Sequence, residues 1–185
     1  YEVIQIFVNN RDWPGNNIKY WKANHLNSRW RWILFDTDFG FGLYNQQGYN
    51  EYTMNFATTT TGPSWPNPAW STLLLRKLLT NKNFKDQFIT RFADCLNTNL
   101  SSNAIYPLID SIQTLIDSDM LNHLQRWSRQ YSNWTWEANR LKTFAQYRPD
   151  YMRNDLSSFF NNLAQYNINV NISTPTSGSI ELNTL

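Results

Sequence analysis

Three prolines crowd the stretch GPSWPNPAW, residues 62 to 70, and no long helix or strand can run through it. The chain reads differently on its two sides. Beyond it, apolar residues return at three- and four-residue spacing in WSTLLLRKLL, FKDQFITRFADCL and IYPLIDSIQTLI, then in MLNHLQRW and WTWEANRLKTFAQYR. A last helical pattern, YMRNDLSSFFNNL, is expected to start after Pro149. Asn67 or Ser71 would cap the first of these helices and Ser101 or Ser102 the third, which either begins near Ile105 or bends at Pro107.

The side before the prolines leans towards β structure. EVIQIFV is short and apolar, and reads as a strand or as the last turns of a helix. NIKYWK and RWRWILFD, rich in aromatic and β-branched residues, predict a hairpin around ANHLNS. Alternation along the second strand puts Trp30, Trp32, Leu34, Asp36 and Asp38 on one face. The fold class expected is α+β, mostly helical.

Composition removes several function classes. With 41% hydrophobic and 16% aromatic residues in 185, the chain builds one domain with a real core. A net charge of +2, with basic residues scattered, argues against nucleic acid as a partner. No apolar run reaches membrane length, so no membrane insertion is expected. The single cysteine, Cys95, excludes an internal disulfide and reads as an inert thiol on a helix face. His25 and His123 have no partners at metal-ligand spacing, and Trp65, Trp70, Trp134 and Trp136 read mostly as core or loop anchors. Low charge with many Asn, Trp and Tyr residues points to a secreted or cell-surface protein. The chain opens in mid-pattern with YEVIQIFVNN, so further sequence is expected upstream. Residues 166 to 185, ending in STPTSGSIELNTL, read as a linker and the start of a β module.

Two stretches carry candidate chemistry. In RDWPGNNIKYW, Asp12 stands five residues before Asn17 with a Pro-Gly turn between them, so the side chains converge. A carboxylate there accepts a proton from a hydroxyl, and an amide oxygen ligates a hard cation without adding charge. The same pattern also suits a plain Asx turn. In ILFDTDFGFG, Asp36 and Asp38 would share a strand face with Cα atoms roughly 6.5–7 Å apart. At least one is expected to be part-buried. Acids so placed repel unless one is protonated or a divalent cation sits between them; two solvated acids at a strand end is the plainer alternative.

In order, an Asp, an Asn five residues on, a hairpin and Asp-Thr-Asp-Phe-Gly are the parts that protein kinases use for phosphoryl transfer. NNRDWPGNN and RWRWILFDTDFGFG, with RW at 126 to 127 and KTFAQYRPDYMRNDLSSFF, resemble the CotH (spore coat protein H) kinase family over residues 1 to about 165. That resemblance implies an atypical kinase-like large lobe whose hairpin carries the metal-site acids. It implies an enzyme using ATP with Mg²⁺ or Mn²⁺ to phosphorylate Ser or Thr of a protein substrate. Asp12 would be the catalytic-loop acid, and Asn17 and Asp36 would be metal ligands, with Asp38 as second choice for Asp36 and Asn16 as a substitute for Asn17. The small lobe, with its phosphate-binding Lys, is missing before Asp12, so the chain alone is expected to be inactive. The alternative is a non-catalytic cell-surface or spore-coat module on the same fold.

Overall fold

The computed structural model describes residues 1–171, 173, 174 and 178, and of the expected β module only these last positions fall within it. Helix α1 (Glu2–Phe7) leads into an irregular loop, followed by strands β1 (Lys19–Trp21) and β2 (Arg31–Ile33). A second irregular loop ends in a 3₁₀ turn at Gly48–Asn50. Helices α2 (Thr53–Thr58), α3 (Leu73–Leu78), α4 (Lys82–Asn97), α5 (Ser102–Arg126) and α6 (Tyr131–Phe159) complete the fold. The α+β class and the preponderance of helix agree with the sequence.

EVIQIFV resolves as helix, because its apolar residues Val3, Ile6 and Phe7 are all buried on the inner side of α1. The hairpin forms as expected, antiparallel, with Tyr20 opposite Trp32 and Lys19 opposite Ile33. It is shorter than the pattern suggested, and every residue of both strands is exposed. Aromatic edges hold it together: the Tyr20 ring lies 5.4 Å from Trp30 and 6.2 Å from Trp32.

The core is helical. Phe88, Phe92 and Leu96 are buried at four-residue spacing along α4, whose first turn is closed by Asn81 accepting from the Phe84 N–H at 3.1 Å. They meet Ile6 and Phe7 of α1, Met54 of α2, and Phe144, Ala145 and Met152 of α6. Phe7 and Phe144 contact edge-on at 6.3 Å.

The expected helix boundaries fail for one physical reason. Pro107 and Pro149 both lie inside helices, and the four expected segments after Ser101 fuse into two long ones. Each proline forfeits a backbone hydrogen bond, but α5 and α6 pack along each other and Pro149 itself is buried. Tertiary packing holds the helix where local propensity would end it. Ser101 does sit at the α5 N-cap, whereas Asn67 caps nothing. It is buried and donates to the Phe56 carbonyl at 2.6 Å. Trp65, Trp70 and Trp136 are exposed rather than core residues, while Trp134 donates to Asp117 at 2.8 Å.

Glu2 is an electrostatic weak point of this core. Its Oε2 is closed off from solvent with no hydrogen-bond partner, and burial pushes its carboxyl up to about 7 from 4.5. The folded state therefore favours the protonated acid, and the stability from that preference is lost as pH rises through about 7. Glu2→Gln should unfold at higher urea than the parent at pH 8, by on the order of 2 kcal/mol. The two proteins should converge near pH 4.5. Asp155, raised from 3.8 to about 6 chiefly by burial, leaves a residual slope between those values in both.

Candidate active site

Two loops meet beside α1. The first carries Asn9 to Asn17 and the second Phe35 to Tyr44. They are stitched by Arg11 N–H donating to the Phe39 carbonyl at 3.2 Å and Phe41 N–H donating to the Val8 carbonyl at 2.7 Å. Asn9, Asn17, Asp36 and Phe41 all adopt left-handed backbone, with φ between 51° and 54°. Such conformations are uncommon for non-glycine residues, and they gather here rather than along the helices.

Asp12 is buried, and both carboxylate oxygens are occupied. Asn16 Nδ2 donates to Oδ1 at 2.8 Å and Asn17 Nδ2 donates to Oδ2 at 2.5 Å. The backbone N–H of Asp12 donates to Asn10 Oδ1 at 2.9 Å, and Asn10 in turn donates to Gln5 Oε1 of α1 at 2.9 Å. A chain of buried amides thus runs from the helix to the acid. The expected convergence of Asp12 and Asn17 is present, and Asn16 proves to be a second clamp on Asp12.

Asp36 and Asp38 do not share a strand. The strand stops at Ile33, and the left-handed turn at Asp36 breaks the alternation on which that expectation rested. Both acids are exposed, so neither is part-buried as anticipated. They remain close: the Asp36 carboxyl is held above its ordinary value first by Asp38, then by desolvation and by the charges of Asp38 and Asp12, with Asn17 hydrogen bonding opposing the rise. Asp36 therefore senses Asp38, Asp12 and Asn17 together, and Asn17 lies between the two loops' acids.

This donor set is oxygen-only, two exposed carboxylates and an amide, and it is short of a closed cage. Among the described residues no group of three or more His, Cys, Asp or Glu side chains could hold a metal alone. Mg²⁺ suits such a site, since it commonly takes one or two carboxylates and completes its shell with water and phosphate oxygens. Asp36, Asp38 and the Asn17 amide oxygen would hold it, and the ion would supply charge neutralisation to phosphate groups.

Sequence reasoning missed the second layer. Asn9 donates to the Gly48 carbonyl at 3.0 Å and to Glu51 at 3.3 Å, and Arg11 pairs with Glu51. Arg148, on α6, reaches the same layer. Its one sequence signal is register: it stands four residues from both Phe144 and Met152, on a stripe that is otherwise apolar.

The two loops thus set a buried, amide-clamped acid beside an exposed acid pair. A family model described as CotH kinase protein matches residues 1–152. The chain belongs to the CotH kinase family. No curated protein and no solved structure matches it.

Gly15 shows how tightly the proline-rich segment supports the Asp12 loop. Its N–H donates to the Pro66 carbonyl at 2.6 Å, and an added Cβ would stand 2.5 Å from that oxygen and 2.5 Å from the Pro68 ring. Neither obstacle can swing away. Gly15→Ala should therefore cost about 1–3 kcal/mol in urea unfolding, the range for overpacking.

Proposed function

We propose that this chain is the large lobe of an atypical protein kinase, spanning residues 1 to about 165, that transfers the ATP γ-phosphoryl group to a Ser or Thr hydroxyl of a protein. The observation that carries the reading is the buried Asp12 carboxylate, clamped by Asn16 and Asn17, with Asn17 linking it to Asp36. Membership of a kinase family supports it further.

In this reading Asp12 accepts the proton of the substrate hydroxyl as its oxygen bonds to the γ-phosphorus. The bond from γ-phosphorus to the bridging oxygen breaks, and ADP leaves with that oxygen. Asn16 and Asn17 keep the carboxylate in one orientation, so little reorganisation is needed when the hydroxyl arrives. Asp36, Asp38 and Asn17 would hold the Mg²⁺ or Mn²⁺, which would supply charge neutralisation to the phosphates. Asp36 is taken as the main ligand and Asp38 as the second choice, the order that the family resemblance implies. The protein would work at the cell surface or after secretion. That no helix among the described residues is long and apolar enough to cross a membrane is compatible with this.

One observation favours a second reading, a non-catalytic surface module. A cavity of about 430 Å³ beside Trp13 and Pro14 is lined by the exposed rings of Tyr20, Trp30 and Trp70, a surface suited to binding without chemistry.

The experiment is transfer of label from γ-³²P-ATP with Mn²⁺ by the full-length protein beside Asp12→Asn and Asp36→Asn. The wild type should label protein, and Asp12→Asn should lower kcat by about 10²–10⁴-fold with little change in metal affinity. Asp36→Asn should lose Mn²⁺ binding, read by electron paramagnetic resonance, together with transfer. Absence of both label and nucleotide binding in the wild type would leave the binding module.

A further inference from the structure

We propose that Arg148 is the positioning residue of the Asp12 loop, acting through Thr53 and Asn9 to fix where the Asp12 carboxylate stands; the inference rests on the reading of Asp12 as proton acceptor. Arg148 is fully buried, so it meets no substrate itself. All five of its N–H donors are used. Nε donates to the Phe7 carbonyl at 2.8 Å, and Nη1 to the carbonyls of Tyr49 at 3.0 Å and Glu51 at 2.9 Å. Nη2 donates to the Ile6 carbonyl at 3.0 Å and to Thr53 Oγ1 at 2.7 Å. No donor is left for a ligand.

These contacts converge on the root of the Asp12 loop. Ile6 and Phe7 end α1, the helix from which the loop departs; the Phe7 carbonyl is among those a helix end leaves without a backbone partner, and that of Ile6 also accepts from the Asn9 N–H at 3.2 Å. The guanidinium fills that need from a helix 141 residues away. Thr53 relays the same constraint. Because Arg148 is only a donor, it occupies a lone pair of the hydroxyl and directs the hydroxyl proton elsewhere. The shorter of the two acceptors is Asn9 Oδ1 at 3.1 Å, ahead of the Glu51 carbonyl at 3.3 Å.

Asn9 is where the chain reverses, at φ 54°, and its amide is then fully engaged with Gly48 and Glu51. Asn10 follows directly and holds the Asp12 backbone N–H. From Arg148 to Asp12 there is thus a run of two hydrogen bonds through Thr53 to Asn9, one peptide link from Asn9 to Asn10, and a last hydrogen bond from the Asp12 N–H to Asn10. The guanidinium serves placement of the acid as well as stability of the core. A substitution that removes only the relay separates the two.

The test compares Thr53→Val, which deletes the hydroxyl, with Thr53→Ser, which keeps it, and with Arg148→Lys, which keeps the charge but not the five-donor fork. Two readouts are taken on the full-length protein. The ¹⁵N side-chain amide signals of Asn16 and Asn17 report the position of the Asp12 carboxylate to which they donate. Steady-state kinetics with ATP and Mn²⁺ report its use.

Thr53→Val and Arg148→Lys should displace both amide signals and lower kcat at least about tenfold while KM for ATP moves less than about twofold. Thr53→Ser should restore the signals and the rate. A Thr53→Val protein with a lower Tm but wild-type amide signals and kcat would overturn the inference, leaving Arg148 a stabiliser of the fold only. If the wild type transfers no phosphate, the kinase reading falls alone. The amide signals then decide, displaced in Thr53→Val and restored in Thr53→Ser if Arg148 positions Asp12, and unchanged in both if it does not.

Discussion

A cation in the middle of the core is the constraint around which this fold is arranged. Burial pushes the Arg148 pKa down to about 10, so the guanidinium stays charged at neutral pH with no access to water. Removing such a charge from water costs several kcal/mol unless every donor finds an acceptor. Asp155 is not the main answer: it stands 3.9 Å away, and burial raises its carboxyl to about 6 despite the attraction. In both partners desolvation outweighs the pair. What holds the guanidinium is four backbone carbonyls and one hydroxyl, drawn from α1, the 3₁₀ turn region and α2. Satisfying one side chain therefore forces four segments of chain to meet.

That requirement explains why so irregular a region is ordered. The loops from Asn9 to Asn17 and from Phe35 to Tyr44 have few ladder hydrogen bonds of their own, and left-handed residues at Asn9, Asn17, Asp36 and Phe41 add backbone cost. They are over-determined from outside. Arg140 on α6 donates to the carbonyls of Gly42 and Leu43, Glu51 gathers Asn9, Arg11 and Asn45, and Pro66 takes the Gly15 N–H. The helical half of the chain supplies the scaffold, and α6 supplies the basic residues that grip the loops from beneath.

The sequence made the neighbours among the loops' side chains legible and their backbone illegible. Asp12 with Asn17, and Asp36 beside Asp38, were visible because side-chain types at fixed spacing do not depend on the path between them. The shared strand face for the two acids was not, because a single left-handed residue at Asp36 cancels alternation and no local signal announces it. Prolines misled in the opposite sense: Pro149 read as a helix boundary and Pro107 as a start near Ile105 or a bend, but packing of α5 along α6 carries both helices through. Three of the tryptophans misled because Trp is assigned to cores by area: Trp65, Trp70 and Trp136 stand in solvent, and of the nine only Trp13 is buried with the Phe, Leu, Ile, Val and Met residues of the core among the described residues. Arg148 was hidden in plain view, a charge in the apolar register of α6 that only the three-dimensional count of acceptors explains.

The acids divide by burial, and that division bears on which can do what. Asp12 is enclosed and held at both oxygens by amides, an environment that fixes direction and leaves little freedom to swing toward a cation. Asp36 and Asp38 are exposed, crowd each other, and carry no ion pair among the described residues. A cation relieves repulsion only where the repulsion is, and it needs open coordination positions to take phosphate oxygens, which a buried carboxylate cannot offer. Proton acceptance asks for the reverse, a fixed direction. Asn17 is the hinge of this arrangement, since one neutral amide can face Asp12 and Asp36 without adding a charge that either would have to balance. A carboxylate at position 17 would put a third negative charge between them, which is the physical reason an amide stands there.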